Sequence, residues 1–217
     1  MARRTKEDAA ATRDSILDAA EQLFVQQGVS RTTLQHIASA AGVTRGAIYW
    51  HFDDKAVLFN AMMDRAILPM EAALDALTAS EGDDPLEELQ QYFIRVLHET
   101  VHNPQARRAF EIATLKMEYV DELDDVRVRR TESMVEWMEM AESRIVSASA
   151  RGQAKADIKP RTLALGMWVI VEGLIRNWLF DPAAFDLEET GRELIAPYIA
   201  AIRVGQARVP GVVIALP

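Results

Sequence analysis

Residues 32–52 read Thr-Thr-Leu-Gln-His-Ile-Ala-Ser-Ala-Ala-Gly-Val-Thr-Arg-Gly-Ala-Ile-Tyr-Trp-His-Phe. Two short helical patterns flank Gly42. Thr32 is placed to start the first, and Gln35 three residues later completes a capping box. Leu34, Ile37, Ala38 and Ala41 recur at helical spacing as its buried side, and Gly42 suits the left-handed turn that follows. Thr44 caps the second helix, which ends near Phe52. On it Ile48 and Phe52 face the first helix, while Arg45 and Tyr49 lie four apart on the other side. Two short helices joined by a glycine-containing turn, with small residues at the crossing, are the pattern of a helix-turn-helix. Gly46 weakens the first turn of its helix by about 1 kcal/mol relative to alanine. Either something approaches the backbone closely there, as a DNA groove would, or a fraying turn tolerates it.

Outward from this motif the periodicity stays helical, and no run alternates as a half-buried strand does. A first helix is expected from about Glu7 to Gln27, stopped by Gly28. Asp53 or Asp54 opens a long helix to about Thr78, and the polar run from Ser80 to Asp84 breaks the chain. Asp84-Pro85 and Asn103-Pro104 each pair a cap with proline at the first helical position, starting helices to about His102 and Tyr119. Acidic residues 121–125 lead into a helix to about Arg151. Pro160 starts another to Phe180, and Asp186 caps a last one to about Val204. The expected fold is all-α with about nine helices; residues 206–217 follow as a tail with no recognisable pattern.

The chain of 217 residues has a hydrophobic fraction of 49% and no cysteine, which excludes disulfides and sulfur-bound zinc and suits a reducing compartment. The longest apolar run, Leu163 to Val171, is closed by Glu172 and is far short of the roughly 20 residues of a membrane helix. The N-terminus carries no apolar signal region, so a soluble, cytoplasmic protein without a membrane partner is expected. Net charge is −9, yet residues 1–55 balance to zero, so the whole negative excess lies beyond them. A neutral N-terminal unit with its own cationic positions can present one face to a polyanion.

The stretch Thr44-Arg45-Gly46-Ala47-Ile48-Tyr49-Trp50-His51-Phe52, followed by Lys55, resembles the signature of TetR-family transcriptional repressors. The similarity continues through Thr12-Arg13, Arg107-Arg108, Gly173-Leu174-Ile175-Arg176 and Trp178-Leu179 to Asp186-Leu187. It is greatest to the AcrR/TtgR group, which represses multidrug efflux pumps. The resemblance implies a homodimer with a DNA-binding unit at residues 1–55 and a ligand-binding and dimerisation unit at 56–205. Its expected partners are a near-palindromic double-stranded operator and a hydrophobic small-molecule inducer, with no cofactor and no enzymatic activity. Carried onto this chain, Arg45 and Tyr49 meet base edges or phosphates in the major groove, with Gly46 at the approach. Thr33, Thr44, Tyr49, His51 and Lys55 hold phosphates, as hydroxyl and ammonium donors do. Trp50 is read as structural, and Asp53-Asp54 as weakening the phosphate contact at Lys55.

The C-terminal half is rich in Met and Trp, which suits a plain helical core or a pocket for varied apolar ligands. The family resemblance favours the pocket. It directs Val171, Ile175 and Arg176 to the cavity, with Trp168 and Glu172 on the same helix side. Phe93, Val96, Phe110, Thr114, Met134, Trp137 and Met138 are the expected facing walls. Glu172 and Arg176 could instead form an i, i+4 surface pair. Ile170, Leu174 and Trp178, with Leu194, Ile195, Tyr198, Ile199 and Ile202, are the expected dimer interface, packed as a four-helix arrangement.

His98-Glu99-Thr100-Val101-His102 matches the H-E-x-x-H pattern of zinc hydrolases, with Glu111 or Glu118 as distant third ligands. Asn103-Pro104 ends the helix at once, so a solvated helix end is the favoured reading and a metallohydrolase the alternative. Acidic residues near 121–125 read as helix-start partners in preference to a cation site. A TetR-type regulator of catabolic or lipid genes, or an activator, is the alternative within the family.

Overall fold

The computed structural model describes residues 6–79, 82–118, 120–155 and 157–204; the expected tail lies outside them. They form nine α-helices and one 3-10 turn: α1 Lys6–Gln27, α2 Leu34–Ala40, α3 Arg45–His51, α4 Lys55–Ala79, α5 Pro85–His102, α6 Pro104–Leu115, the turn Asp121–Leu123, α7 Asp124–Ala150, α8 Pro160–Phe180 and α9 Leu187–Ile202. The all-α expectation holds, and the caps explain most boundaries. Asp84 Oδ1 accepts from Glu87 N at 3.0 Å, and Asn103 Oδ1 accepts from Gln105 N and Ala106 N. Thr44 Oγ1 accepts from Ala47 N, and Asp186 Oδ1 from Glu189 N. Gly28, with φ 84°, turns the chain out of α1 in the left-handed region where glycine is unstrained.

Two boundaries differ from the sequence reading. The capping box of α2 is one residue later, with Thr33 accepting from His36 N and His36 Nδ1 accepting from Thr33 N. Thr32 is buried, its hydroxyl donating to Gly28 O at 2.7 Å and accepting from Gln27 Nε2 at 3.0 Å, so it is engaged at the end of α1 and not as the cap of α2. Helix α6 stops at Leu115, short of Tyr119, because Lys116 leaves helical geometry and its carbonyl accepts from Val29 N at 3.0 Å.

The apolar side chains form two cores. The first joins α1–α3 to Ala56, Leu58, Phe59 and Met62 of α4, and takes in Ile112, Leu123 and Val126 from the larger unit. The second is built from α5, α7, α8 and α9 with Leu77 of α4. The N-terminal core therefore does not stop at Lys55; α4 belongs to both cores and links them. Helix α9 packs on α5 so closely that a Cβ on Gly191 would collide with Leu97. Among the described residues α8 alone is long and apolar enough to cross a membrane by length and composition, but it packs against α7 and α9.

Candidate functional site

The N-terminal site is built on α3. Thr33, Thr44, Arg45, Gly46 and Tyr49 are all exposed, and His51 is half-buried. The Arg45 guanidinium lies 5.6 Å from the Tyr49 ring centroid, a stacking distance that holds both side chains on one outward face. A Cβ on Gly46 would meet only Thr44 Oγ1, at 4.0 Å, so nothing within the chain demands glycine there. Trp50 departs from its structural reading: it is 72% exposed and meets the His51 ring edge-on at 4.5 Å. Its position one residue after Tyr49 on an exposed helix was a signal the sequence offered.

Lys55 is placed otherwise than the resemblance implies. It is 7% exposed, and its ammonium donates to Ser30 O at 3.3 Å and Thr32 O at 3.1 Å. Glu122, just before α7, is its counter-ion. A lysine so engaged faces the interior, where it fixes the loop carrying Thr33. Asp53 and Asp54 therefore have no phosphate contact at Lys55 to weaken; Asp54 Oδ1 instead caps α4 through Val57 N.

The second site is a cleft of about 410 Å³ between α6, α7 and α8. It is lined by Ala113, Thr114 and Met117, by Arg127, Arg130, Thr131 and Met134, and by Trp168, Glu172 and Arg176. Thr114, Met134, Trp168, Glu172 and Arg176 are thus brought together as expected from sequence. Phe93, Trp137, Met138, Val171 and Ile175 are instead buried in the second core, with Val96 and Phe110 packed against it. Phe93 and Trp137 still bear on the cleft through a chain of rings, Phe93 on Trp137 and Trp137 on Trp168, each at 5.0 Å. Beside them burial pushes the Tyr92 hydroxyl up to about 12, against a hydrogen bond from Trp137, so it stays protonated. Glu172 is not paired with Arg176. Its carboxylate accepts from Trp168 Nε1 at 3.0 Å and from Arg130 at 2.9 Å. Arg127, Arg130 and Thr131 were missed, although with Met134 they recur at i, i+3, i+4 and i+7 on α7.

The wall of this cleft on α6 continues directly into contacts with the N-terminal unit. Between Thr114 and Met117 the Lys116 carbonyl accepts from Val29 N, and next after Met117 Glu118 accepts from the Ser30 hydroxyl at 3.1 Å. On the other side of α6, Arg108 pairs with the buried Glu21 of α1. Arg65 of α4 pairs with Asp18 at 2.8 Å and with the same Glu21 at 3.5 Å.

The proposed interface residues divide. Leu174, Trp178, Ile195, Ile199 and Ile202 are consumed by the protomer's own core, and Arg107 stacks on Trp178 at 4.6 Å. Ile170 and Tyr198 are half-buried, and the Tyr198 hydroxyl donates to Leu163 O at 2.9 Å. Leu194 is exposed, as are Leu165, Val169 and Phe180 of α8. Of the expected interface set, the five residues on the inward, more apolar stripe are thus used within the chain, while Leu194, Ile170 and Tyr198 keep accessible surface.

Two family descriptions match successive parts of the chain. Residues 16–62 match "Bacterial regulatory proteins, tetR family", and residues 84–204 match "MAATS-type transcriptional repressor, C-terminal region". The chain belongs to the TetR family of transcriptional regulators. This TetR-family chain is 38% identical over 187 residues to the HTH-type transcriptional regulator TtgR of Pseudomonas putida, covering 86% of this chain and 89% of that protein. NalD, the secondary repressor of the MexAB-OprM multidrug efflux pump in Pseudomonas aeruginosa, superimposes with a TM-score of 0.84 at 33% identity, over 93% of this chain and all of that one. SmeT in complex with triclosan superimposes with a TM-score of 0.80 at 29% identity, over 95% of this chain and 99% of that chain.

Proposed function

We propose that this chain is a cytoplasmic, dimeric repressor of a multidrug efflux operon, released from its operator when a hydrophobic, partly aromatic molecule fills the cleft between α6, α7 and α8. The observation that carries the proposal is the continuity of the α6 cleft wall with the Val29–Lys116 and Ser30–Glu118 contacts. A ligand that displaces Thr114 or Met117 bears on the loop before Thr33 within a few residues of chain. Trp168 and Met134 supply apolar contact, and Arg176 and the Arg130–Glu172 pair supply polar handles. TtgR, NalD and the triclosan complex of SmeT support the assignment by likeness.

On DNA, α3 enters the major groove with Arg45 at base edges, and Thr33, Thr44, Tyr49 and His51 position the backbone. Lys55 organises the loop from behind. Two copies meeting through Leu165, Val169, Phe180 and Leu194 would present their reading helices to half-sites about one helical turn (~34 Å) apart. Release requires that the ligand prefer the conformer whose heads mismatch this spacing; equal affinity for both conformers shifts nothing.

The test is a titration of operator DNA, taken from the near-palindrome beside the chain's own gene, followed by fluorescence anisotropy. Triclosan is the probe ligand. It should quench Trp168 fluorescence and weaken operator binding over one concentration range. Met134→Glu should abolish both effects and leave ligand-free DNA binding intact. Binding of triclosan that leaves operator affinity unchanged would overturn the proposal.

A further inference from the structure

His98 and His102 stand one turn apart at the end of α5, with ring centroids separated by 4.3 Å. Both face Glu188, the second residue of α9: His102 Nε2 is 2.6 Å from Oε1, and His98 Nδ1 is 3.4 Å from Oε2. The three donor atoms lie within 4.8 Å of one another, and both imidazoles are more than half exposed. We propose that His98, His102 and Glu188 form a binding site for a divalent transition-metal ion, with zinc as the reference occupant, that clasps the end of α5 to the start of α9.

The donor set argues for the class of ion. Two imidazole nitrogens and one carboxylate oxygen suit zinc, nickel, cobalt or copper in preference to calcium or magnesium, which favour all-oxygen shells. Donors bonded at about 2.0–2.2 Å around a tetrahedral ion lie roughly 3.4 Å apart. His102 and His98 stand 2.6 Å and 3.4 Å from the two different oxygens of Glu188, and all three donors lie within 4.8 Å. Convergence on one ion therefore takes rotations of the two exposed imidazoles about a partly buried carboxylate. The remaining coordination positions open to water.

The helix ends favour the same arrangement. The carbonyl-rich C-terminus of α5 attracts a cation, and the N-terminus of α9 stabilises the Glu188 carboxylate. The third donor is thus Glu188, and neither Glu111 nor Glu118 belongs to the cluster. Glu99 is not part of the cluster; in hydrolytic H-E-x-x-H centres the corresponding glutamate is likewise no ligand but the general base, so the proposal concerns ion binding and no hydrolytic step. Arg192 stands in opposition: its guanidinium is 2.7 Å from Glu188 Oε2, so a cation already occupies one side of the carboxylate. The metal must share Glu188 with it, which moderates affinity and makes Arg192 the residue whose loss tightens the site.

The experiment uses the full chain without a histidine tag, stripped with chelator and titrated with zinc against a chromophoric competitor. Thermal unfolding is followed in parallel. The expected result is one zinc ion per chain at about 10 μM of each, with a rise in Tm. His98→Ala/His102→Ala should lose at least about a hundredfold in affinity and the Tm rise with it. Glu188→Gln should lose about tenfold, and Arg192→Ala should bind more tightly than the parent. Equal Tm values for all four proteins without metal confirm that the substitutions leave the fold intact. Absence of stoichiometric zinc in the parent chain overturns the proposal. So does wild-type affinity in the double histidine variant or in Glu188→Gln.

Discussion

Lys55→Met separates two roles for a lysine that stands at the edge of the DNA-binding unit. Methionine keeps the volume of the aliphatic stem, so little cavity opens, but it removes the ammonium that serves Ser30 O and Thr32 O. Each carbonyl left without its donor costs about 1–3 kcal/mol. Glu122 is 60% exposed and returns to water, so the ion pair itself contributes under about 1 kcal/mol. Burying a thioether in place of the charge recovers roughly 1–2 kcal/mol. At their midpoints these terms leave a net loss of about 3 kcal/mol, which for a chain of this length lowers Tm by about 6–12 °C. Thermal unfolding measures that loss, and operator anisotropy across a salt series measures the second role. An ammonium on a phosphate contributes about one unit to the slope of log affinity against log salt, and an internal one contributes nothing. The expected outcome is a lower Tm, weaker binding to all sequences and an unchanged slope. An unchanged Tm with a flattened slope would refute the inward placement of Lys55.

Arg45→Ala should cost operator binding about 1–3 kcal/mol and relax preference at one base pair per half-site, read by competition with single-substituted operators. Gly46→Ala should raise helix stability by up to about 1 kcal/mol, since a Cβ meets nothing closer than 4.0 Å, and yet weaken operator affinity. An increase in both quantities would remove the groove-approach account. Val169→Glu, at a residue 58% exposed, should change protomer stability by no more than about 0.5 kcal/mol while sedimentation shifts to monomer and operator binding falls. Asp84 carries a pH dependence. Partial burial alone would raise its pKa, but hydrogen bonds from Arg203 and the Glu87 amide hold it below the ordinary 3.8. Its contribution to stability is therefore complete above that value and is lost as pH falls through it toward the depressed folded value. Asp84→Asn should flatten the acid limb of the stability profile, and an identical limb would count against the assignment.

The helices were legible because their ends are marked by local chemistry: Asp84-Pro85, Asn103-Pro104 and Asp186 act within a few residues of themselves. The reading motif was legible for the same reason, since Thr44, Ile48 and Phe52 declare a short helix and its inner face. What was not legible depends on distant partners. Lys55 looks like any cationic residue near a DNA-binding helix until Glu122 and the Thr32 carbonyl, far away in sequence, enclose it. Helical period told that Leu174, Trp178, Ile195 and Ile199 share faces, but it does not tell whether a face is covered by α5 and α7 of the same chain or by a second copy. Arg127 and Arg130 were passed over because charge hides a cleft wall when the opposing helix is unknown.

The joint between cleft and reading unit includes a contact that no side chain makes. Val29 N donates to the Lys116 carbonyl, so that connection survives substitution at either residue, proline at Val29 excepted. Under the proposed function, the ten residues around the cleft could change with the molecules a cell encounters, while the same main-chain rivet would continue to carry their displacement to the DNA. On that proposal, ligand range and the transmission of its effect would be separable under selection.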